Sequence, residues 1–376
     1  MMVRVAHLTT AHPRFDVRIF HKECCSLVNQ GYDVDLYVAD GQGDAQCDGV
    51  SIIDVGRPNG RVHRMLGKTW VVWNAVRKTD ARIIHIHDPE LLPIALAFKC
   101  MGREVIYDAH EDVPRQLLSK PWINPWVRYA IAWPFERLEN FIARRCAVVV
   151  GATPYIARRY TAQGIHSIDV NNYPIPGELG ETSEQTDLPG SPASTPRTVC
   201  YIGGITRMRG AIEMLKALEK TGARMILAGP MESEALHAEL AAMPAWKQVD
   251  YRGVLDRSAV RDVLHESQLG LVLLHPAPNY LDALPVKMFE YMAAGLPVLA
   301  SDFPLWRGIL DSAGAGICVD PMDTDGIAQA IEMMLNLPDD QRQLMRNASR
   351  AAIRSTYNWK NEEAKLVAAY AAIARP

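Results

Sequence analysis

Short apolar runs bounded by turn residues alternate with longer stretches of helical periodicity along almost the whole chain. This alternation restricts the fold more than any other feature. When a helix separates each strand from the next, it carries the chain back over the sheet face, so the strands pair in parallel. In the first half, Val3–Leu8, Asp33–Val38, Ile83–His87, Glu104–Tyr107 and Ala147–Val150 read as strands. Helices are expected over Phe20–Gln30, Met65–Lys78, Glu90–Lys99, Pro125–Arg145 and Pro154–Ala162. In the second half the strands would be Thr198–Ile202, Arg224–Ala228, Val249–Arg252, Leu271–Leu274, Val298–Ser301 and Gly316–Val319. Arg209–Leu218, Arg257–Glu266, Pro285–Ala294 and Thr324–Leu335 fall between them as helices.

A stretch rich in Pro, Gly, Ser, Thr and acids, from Pro174 to Pro196, separates the halves and cannot build a core. The expected organisation is an N-terminal Rossmann-like domain over 1–173, a linker over 174–197 and a C-terminal domain over 198–357. A last helix over 358–376 packs back on the first domain. At 376 residues, each half is long enough to bury its own core. In such an α/β architecture, two doubly wound parallel sheets face a central cleft, and ligands bind at the C-terminal ends of the strands.

Charge and cysteine usage narrow the class. Lys and Arg number 40 against 43 Asp and Glu, so no global field draws the chain to nucleic acid, and an anionic ligand needs a local patch. The seven cysteines follow no metal-ligand spacing and several lie in apolar runs, as in Val199-Cys200-Tyr201, which fits a reducing cytoplasm. No signal peptide is evident, and no run approaches the ~20 apolar residues of a membrane span.

Two segments look built for an anion. Gly203-Gly204-Ile205-Thr206-Arg207-Met208-Arg209-Gly210 follows a strand and opens a helix, where backbone N–H groups and a guanidinium can meet a phosphate; it reads equally as a strand–helix turn with solvated arginines. Asn279 to Val298 reads as a loop, then a helix with Pro285 near its first turn and Gly295 at its end. Within it Glu290 can accept ribose hydroxyls, Lys287 can reach phosphate oxygens, and Asp282, eight residues before Glu290, can meet a sugar or merely cap a helix.

The spacing of Asp282 and Glu290 resembles the acidic-x7-Glu signature of retaining GT-B glycosyltransferases, in particular the glycosyltransferase family 4 type. Further pieces of the resemblance are Tyr201-Ile202-Gly203-Gly204 with Arg209-Gly210, Leu227-Ala228-Gly229, Tyr251-Arg252-Gly253-Val254-Leu255 and Leu296-Pro297-Val298. Asp16-Val17-Arg18-Ile19-Phe20, His87-Asp88-Pro89-Glu90 and Asp108-Ala109-His110-Glu111-Asp112 add to it in the first half.

The resemblance implies a nucleoside diphosphate sugar donor, UDP- or GDP-linked. Glu290 would hold the ribose, Asp282 and the following amides the sugar, and Arg209 with Lys287 the diphosphate. Gly203, Gly204, Gly253, Val254 and Leu255 would line the donor site, and His110 would contact the transferring sugar. Asp16, Arg18, His110 and Glu111 stand on the acceptor side, where an Asp16–Arg18 ion pair is an equal reading. Two departures from the family pattern are Asp282 in place of glutamate and Gly204 in place of an arginine.

The implied activity is transfer with retention to a glycan or lipid-linked glycan in bacterial surface polysaccharide or lipopolysaccharide synthesis. No cofactor and no metal are expected, since Asp323-Thr324-Asp325 reads as a helix cap rather than a metal-binding pair. The alternatives are a nucleotide-sugar 2-epimerase and a catalytically silent partner subunit. His85 and His87 share a strand and are assigned no catalytic role; one is expected to face the core, and His87-Asp88 to shape a loop. Finally, Arg57 to Lys78 and Lys120 to Arg145 mix cations with tryptophans. Such surfaces suit an anionic membrane, making the enzyme peripheral at its inner face, or else hold core tryptophans beneath a solvated charged face.

Overall fold

The computed structural model describes residues 2–118, 124–179 and 197–374. Most of the 174–197 segment, together with Lys120 and Trp122 of the second basic stretch, lies outside them. The chain divides into two units, one of 1–172 with 359–376 and one of 173–358.

The first unit is built on an eight-stranded sheet. Its strands are β1 (Arg4–Leu8), β2 (Asp33–Val38), β3 (Ala45–Cys47), β4 (Val50–Asp54), β5 (Ile83–Ile86), β6 (Glu104–Ala109), β7 (Val148–Gly151) and β8 (Ser167–Asp169), in the order β3-β4-β2-β1-β5-β6-β7-β8. All pairings are parallel except β3 with β4. The strands β3, β4 and β8 were not anticipated; β3 and β8 have only three residues each, too few to set up a readable alternation.

Alternation along the central strands divides the sheet between two environments. Ala6 and Leu8 of β1, Ile84 and Ile86 of β5, and Val105, Tyr107 and Ala109 of β6 enter one apolar core. The intervening positions face the opposite side and carry His7, His85 and Asp108, all fully buried. That face lies against the helical segment Val17–Cys24, which continues into Cys25–Asn29, and against the last helix, Trp359–Ala374. Trp359 Nε1 donates to Ser26 Oγ at 2.9 Å, and the Asn171 N–H donates to Glu362 at 2.8 Å, which ties this helix to the unit.

The second unit has a six-stranded, all-parallel sheet: β9 (Thr198–Ile202), β10 (Arg224–Ala228), β11 (Val249–Gly253), β12 (Leu269–Val272), β13 (Val298–Ser301) and β14 (Gly316–Val319), in the order β11-β10-β9-β12-β13-β14. The chain reverses direction across the sheet between β9 and β12, and this switch point is where ligand crevices form in such sheets. Helices cover both faces. Val199 and Tyr201 of β9 enter one core and Cys200 the other, as period-two side chains between two helical layers must. Tyr173 and Leu179, at the edge of the Pro/Gly-rich segment, are buried in the second of these cores.

Helices Val113–Leu118, Glu234–Ala241, Pro304–Ala313 and Asp339–Ser355 are additional to the sequence reading, and β12 begins two residues before the expected run. No described helix is long and apolar enough to cross a membrane.

Candidate active site

In the second unit, three glycines mark the C-terminal ends of adjacent strands. Gly203 follows β9, Gly229 follows β10 and Gly253 ends β11; the Gly229 N–H donates to the Gly253 carbonyl, and Gly203 N–H to the Ala228 carbonyl at 2.8 Å. A Cβ on Gly229, at φ +138°, would lie 2.0 Å from the Gly203 carbonyl oxygen, so only glycine lets the two backbones meet. A Cβ on Gly203 would lie 3.1 Å from Lys287 Nζ. The bare backbone thus leaves room for an ammonium at the switch point.

Lys287 sits in the first turn of helix Val286–Ala294, which Pro285 opens and Gly295 closes in the left-handed conformation, as the sequence predicts. Its Nζ lies 3.5 Å from the centroid of the Tyr201 ring and is enclosed without a hydrogen-bond acceptor. Burial, and after it the charge of Arg209, push this amine well below the usual lysine range. A buried cationic donor with no acceptor is costly, and an anion at this point would complete it.

Arg209 ends a short 3₁₀ turn, Arg207–Arg209, capped by Thr206, and the following helix begins at Ala211 rather than at Arg209 as expected. The Arg209 guanidinium lies over Gly204, 2.8 Å from where a Cβ would be. Arg209 therefore occupies the space above the very residue that departs from the family pattern. Glu290, one turn after Lys287, is buried, and its Oε1 accepts from Arg257 Nη1 at 2.6 Å, while Arg257 Nε donates to Glu178 at 2.7 Å. Arg257 carried no sequence signal. Asp282 is exposed directly after the short helix Pro278–Leu281. Val254 is exposed, and Leu255 packs against the core. Asp323 accepts from the N–H groups of Asp325 and Gly326, while Asp325 pairs with Lys220; the pair is engaged as a helix cap.

In the first unit, the C-terminal ends of β1, β5 and β6 bring together a second polar constellation. Asp108 is fully buried. Arg18 Nε and Nη2 donate to its two oxygens at 3.0 and 2.7 Å, while His87 Nδ1 and His110 Nε2 lie 3.1 and 2.7 Å from its Oδ2. Arg18 also reaches the Val170 carbonyl at 2.7 Å and Glu23 at 3.1 Å. Of the two equal readings for Asp16 and Arg18, the ion pair is not what forms: Arg18 is buried beneath the sheet end, and Asp16 caps the helical segment by accepting from the N–H groups of Arg18 and Ile19.

His12, which lies in no motif of the sequence, stands between Asp16 and Asp88, at 3.5 and 3.4 Å, with its ring 4.9 Å from that of His110. Burial alone would lower its imidazole, but Asp16 and Asp88 outweigh this and raise it. Glu111 is exposed and accepts from Gln116. Contrary to expectation, His85 and His87 are both buried on the same face, and Asp88 accepts from Thr9, Thr10 and Ala11, so it does shape the loop after β1.

Two groups in this face have the spacing of metal ligands, His7 with Glu23, His85 and His87, and His87 with Asp108 and His110. The nitrogens of His7 and His87 are hydrogen bonded within the cluster, as is His110 Nε2 to Asp108, while both Glu23 oxygens and His85 Nε2 have no hydrogen-bond partner. The signal for this constellation was present in the sequence: period-two alternation puts His7, His85, His87 and Asp108 on one face once β1, β5 and β6 are neighbours.

Comparison with known proteins follows the same division. Sucrose-phosphate synthase from Thermosynechococcus elongatus superposes with a TM-score of 0.77 at 15% identity, covering 99% of both chains. Anabaena HepE in complex with UDP and glucose gives 0.71 at 13% identity over 98% of this chain and 100% of that one. Residues 17–172 match the family described as Glycosyl transferase 4-like domain, and residues 184–351 match Glycosyl transferases group 1. The chain is a GT-B glycosyltransferase. This glycosyltransferase is also 24% identical over 316 residues to a phosphatidyl-myo-inositol mannosyltransferase of Mycolicibacterium smegmatis, covering 82% of this chain and 74% of the relative. The corresponding Mycobacterium leprae protein is 22% identical over 306 residues, 78% of this chain and 74% of that one. The fold class and the transferase class expected from the sequence are both borne out.

Proposed function

We propose that this glycosyltransferase moves a sugar, with retention at the anomeric carbon, from a UDP- or GDP-sugar to a glycan or lipid-linked glycan of bacterial surface polysaccharide synthesis. The observation that carries the reading is the enclosed Lys287 amine, which lacks a hydrogen-bond partner, beside Arg209 at the switch point of a parallel sheet. A diphosphate supplies that partner. Glu290, three residues on, then meets the ribose, Gly203 and Gly204 allow the phosphates to approach the backbone, and Gly253, Val254 and Leu255 lie toward the base. Asp282 and the amides beyond it hold the sugar, and His110 is assigned a sugar contact, as the resemblance implies. HepE was solved with UDP and glucose, and the curated relatives are named as mannosyltransferases on a phosphoinositide; both are compatible with a nucleotide-sugar donor and an acceptor carrying a lipid.

In the reaction, the acceptor hydroxyl approaches the face from which the diphosphate departs, and a leaving phosphate oxygen takes its proton. Negative charge grows on the phosphate during this step, so fixed cations stabilise the transition state more than the bound donor. Lys287 and Arg209 are those cations, and the reaction is proposed to need no divalent metal. Membrane attachment is assigned to helix Pro125–Ala143, whose Trp126, Tyr129 and Trp133 are exposed at 83%, 63% and 60%, with Arg137 stacked on Trp133 at 4.6 Å. The first basic stretch serves less well. Lys68 donates to the Val55 carbonyl inside the fold, Arg64 pairs with Glu90, and Trp73 packs on Phe98.

The test is release of nucleoside diphosphate from UDP-glucose and GDP-mannose with and without EDTA, alongside Arg209→Ala and Lys287→Ala. Activity that survives EDTA and falls in both variants, more in kcat than in donor affinity, supports the reading. Loss in EDTA restored by Mg²⁺ or Mn²⁺ overturns the metal-free clamp, and full activity in both variants overturns the assignment of Lys287 and Arg209.

A further inference from the structure

His7, Tyr370, His85 and His87 lie in the first unit at 0–2% exposure, in a chain that no step of the proposed transfer uses. Its contacts run in one line. His85 Nδ1 lies 2.8 Å from Tyr370 Oη, which lies 3.2 Å from His7 Nε2; His7 Nδ1 lies 2.9 Å from His87 Nε2, and His87 Nδ1 lies 3.1 Å from Asp108 Oδ2. His110 Nε2 meets the same carboxylate oxygen from the other side at 2.7 Å.

The direction of every hydrogen bond in this line follows from one group. Arg18 donates twice to Asp108, so the carboxylate is ionised and only accepts. Facing that oxygen, His87 Nδ1 and His110 Nε2, which lie 3.3 Å from each other, both donate to it. A protonated Nδ1 leaves His87 Nε2 bare when the ring is neutral, so His7 donates to it from Nδ1. His7 Nε2 is then bare and accepts from the Tyr370 hydroxyl, whose oxygen accepts from His85 Nδ1. The chain closes with the only nitrogen that has no remaining partner, His85 Nε2, as the bare one, and this is the ring nitrogen of the chain that is buried without a hydrogen bond. Burial, foremost, lowers all three of these imidazoles and keeps them neutral. Burial and the Asp108 charge raise Glu23, with Arg18 acting in the opposite sense.

We infer that Asp108, held by Arg18 and His87, is a positioning residue that fixes His110 as its Nε2–H tautomer and turns a bare Nδ1 toward a substrate hydroxyl. His110 is 17% exposed on its side chain, at the end of β6, with His12 and Asp16 facing it from the segment after β1, and His87 and Asp88 from the segment after β5. In the neutral ring a bare Nδ1 accepts, so the ligand class there is a hydroxyl donor. Identifying it as a sugar hydroxyl rests on the glycosyl-transfer reading, but the tautomer does not.

The decisive measurement uses the full-length wild-type chain labelled with ¹⁵N-histidine, with the His110 signals assigned by their loss in His110→Gln. Long-range ¹H–¹⁵N spectra at neutral pH should show a protonated Nε2 and a bare Nδ1 on His110; a proton on Nδ1 overturns the inference. In Asp108→Asn, which keeps the side-chain shape and removes the charge, His110 should show both tautomers. Release of UDP from UDP-glucose or GDP from GDP-mannose should fall on the order of 10²-fold in kcat with donor KM within about twofold. Unchanged kcat, or a loss confined to KM, overturns the positioning role. Should this variant fail to fold, the wild-type spectrum still decides the tautomer. Calorimetry with UDP and GDP is run beside it. Absence of nucleotide binding counts against the glycosyl-transfer reading, whereas the His110 spectrum stands or falls independently.

Discussion

Burial and Arg209 both oppose a charge on Lys287, so a bound anion should change its protonation. A diphosphate adds opposite charge beside the amine and raises its pKa. At a pH between the free and bound values, binding must then take up a proton. Calorimetry of UDP or GDP in buffers of different ionisation enthalpy should reveal this uptake, and Lys287→Met should remove it; equal enthalpies in all buffers would contradict the assignment. Glu290→Ala should weaken nucleotide binding about 10- to 100-fold, since a charged acceptor to hydroxyls contributes roughly 1.5–3 kcal/mol. The circular-dichroism melt should meanwhile lose at most a few degrees, because Arg257 keeps Glu178 as a partner. An unchanged Kd would remove Glu290 from the ribose site.

Among the elements, helix Pro125–Ala143 departs furthest from the ordinary rule that helices bury their aromatics. Trp126, Tyr129 and Trp133 share one face and stand in the open, and Val127 and Ile131 beside them are exposed as well, while Ala132, Glu139 and Ile142 are buried. Flotation with phosphatidylglycerol vesicles at low salt should recover the wild-type protein, and Trp126→Ala/Trp133→Ala should stay at the bottom; equal flotation of both would place the contact elsewhere.

The legibility of the sequence differed by element for physical reasons. Helix Val286–Ala294 and its caps could be read because Pro285 and Gly295 act locally, through backbone angles that their own chemistry dictates. The three-residue strands β3 and β8 were silent, being too short for a period. Arg18 and Arg257 were misread or missed because a charge's partner is fixed by tertiary neighbours: Asp108 lies 90 residues from Arg18, and Glu290 lies 33 from Arg257. The histidine face was readable in principle from alternation, and it emerges only when β1, β5 and β6 are placed side by side.

For the molecule as a whole, the buried histidines should govern stability below neutrality. His7, His85 and His87 have lowered values in the folded chain, so below about 6.5 the unfolded chain binds protons that the folded one refuses, and stability falls with pH. His12 and Glu23 are raised and act in the opposite sense, since their contribution is present at low pH and lost as pH rises through their folded values. Each of the three imidazoles removes up to about 1.4 kcal/mol per pH unit on acidification below 6.5. Melting temperature against pH measures this. A flat profile between 7 and 5 would mean that the three imidazoles are not held neutral.

The return of helix Trp359–Ala374 to the first unit also has a bearing on how the polypeptide is made. A ribosome finishes residues 1–172 long before it reaches Tyr370, so the nascent N-terminal half must wait, with His7, His85 and the floor beneath Ser26 uncovered, while another whole body is synthesised and collapses behind it. Translation order and folding order are therefore inverted for the last helix, and a chain released early by a premature stop would lack the lid on its oldest part.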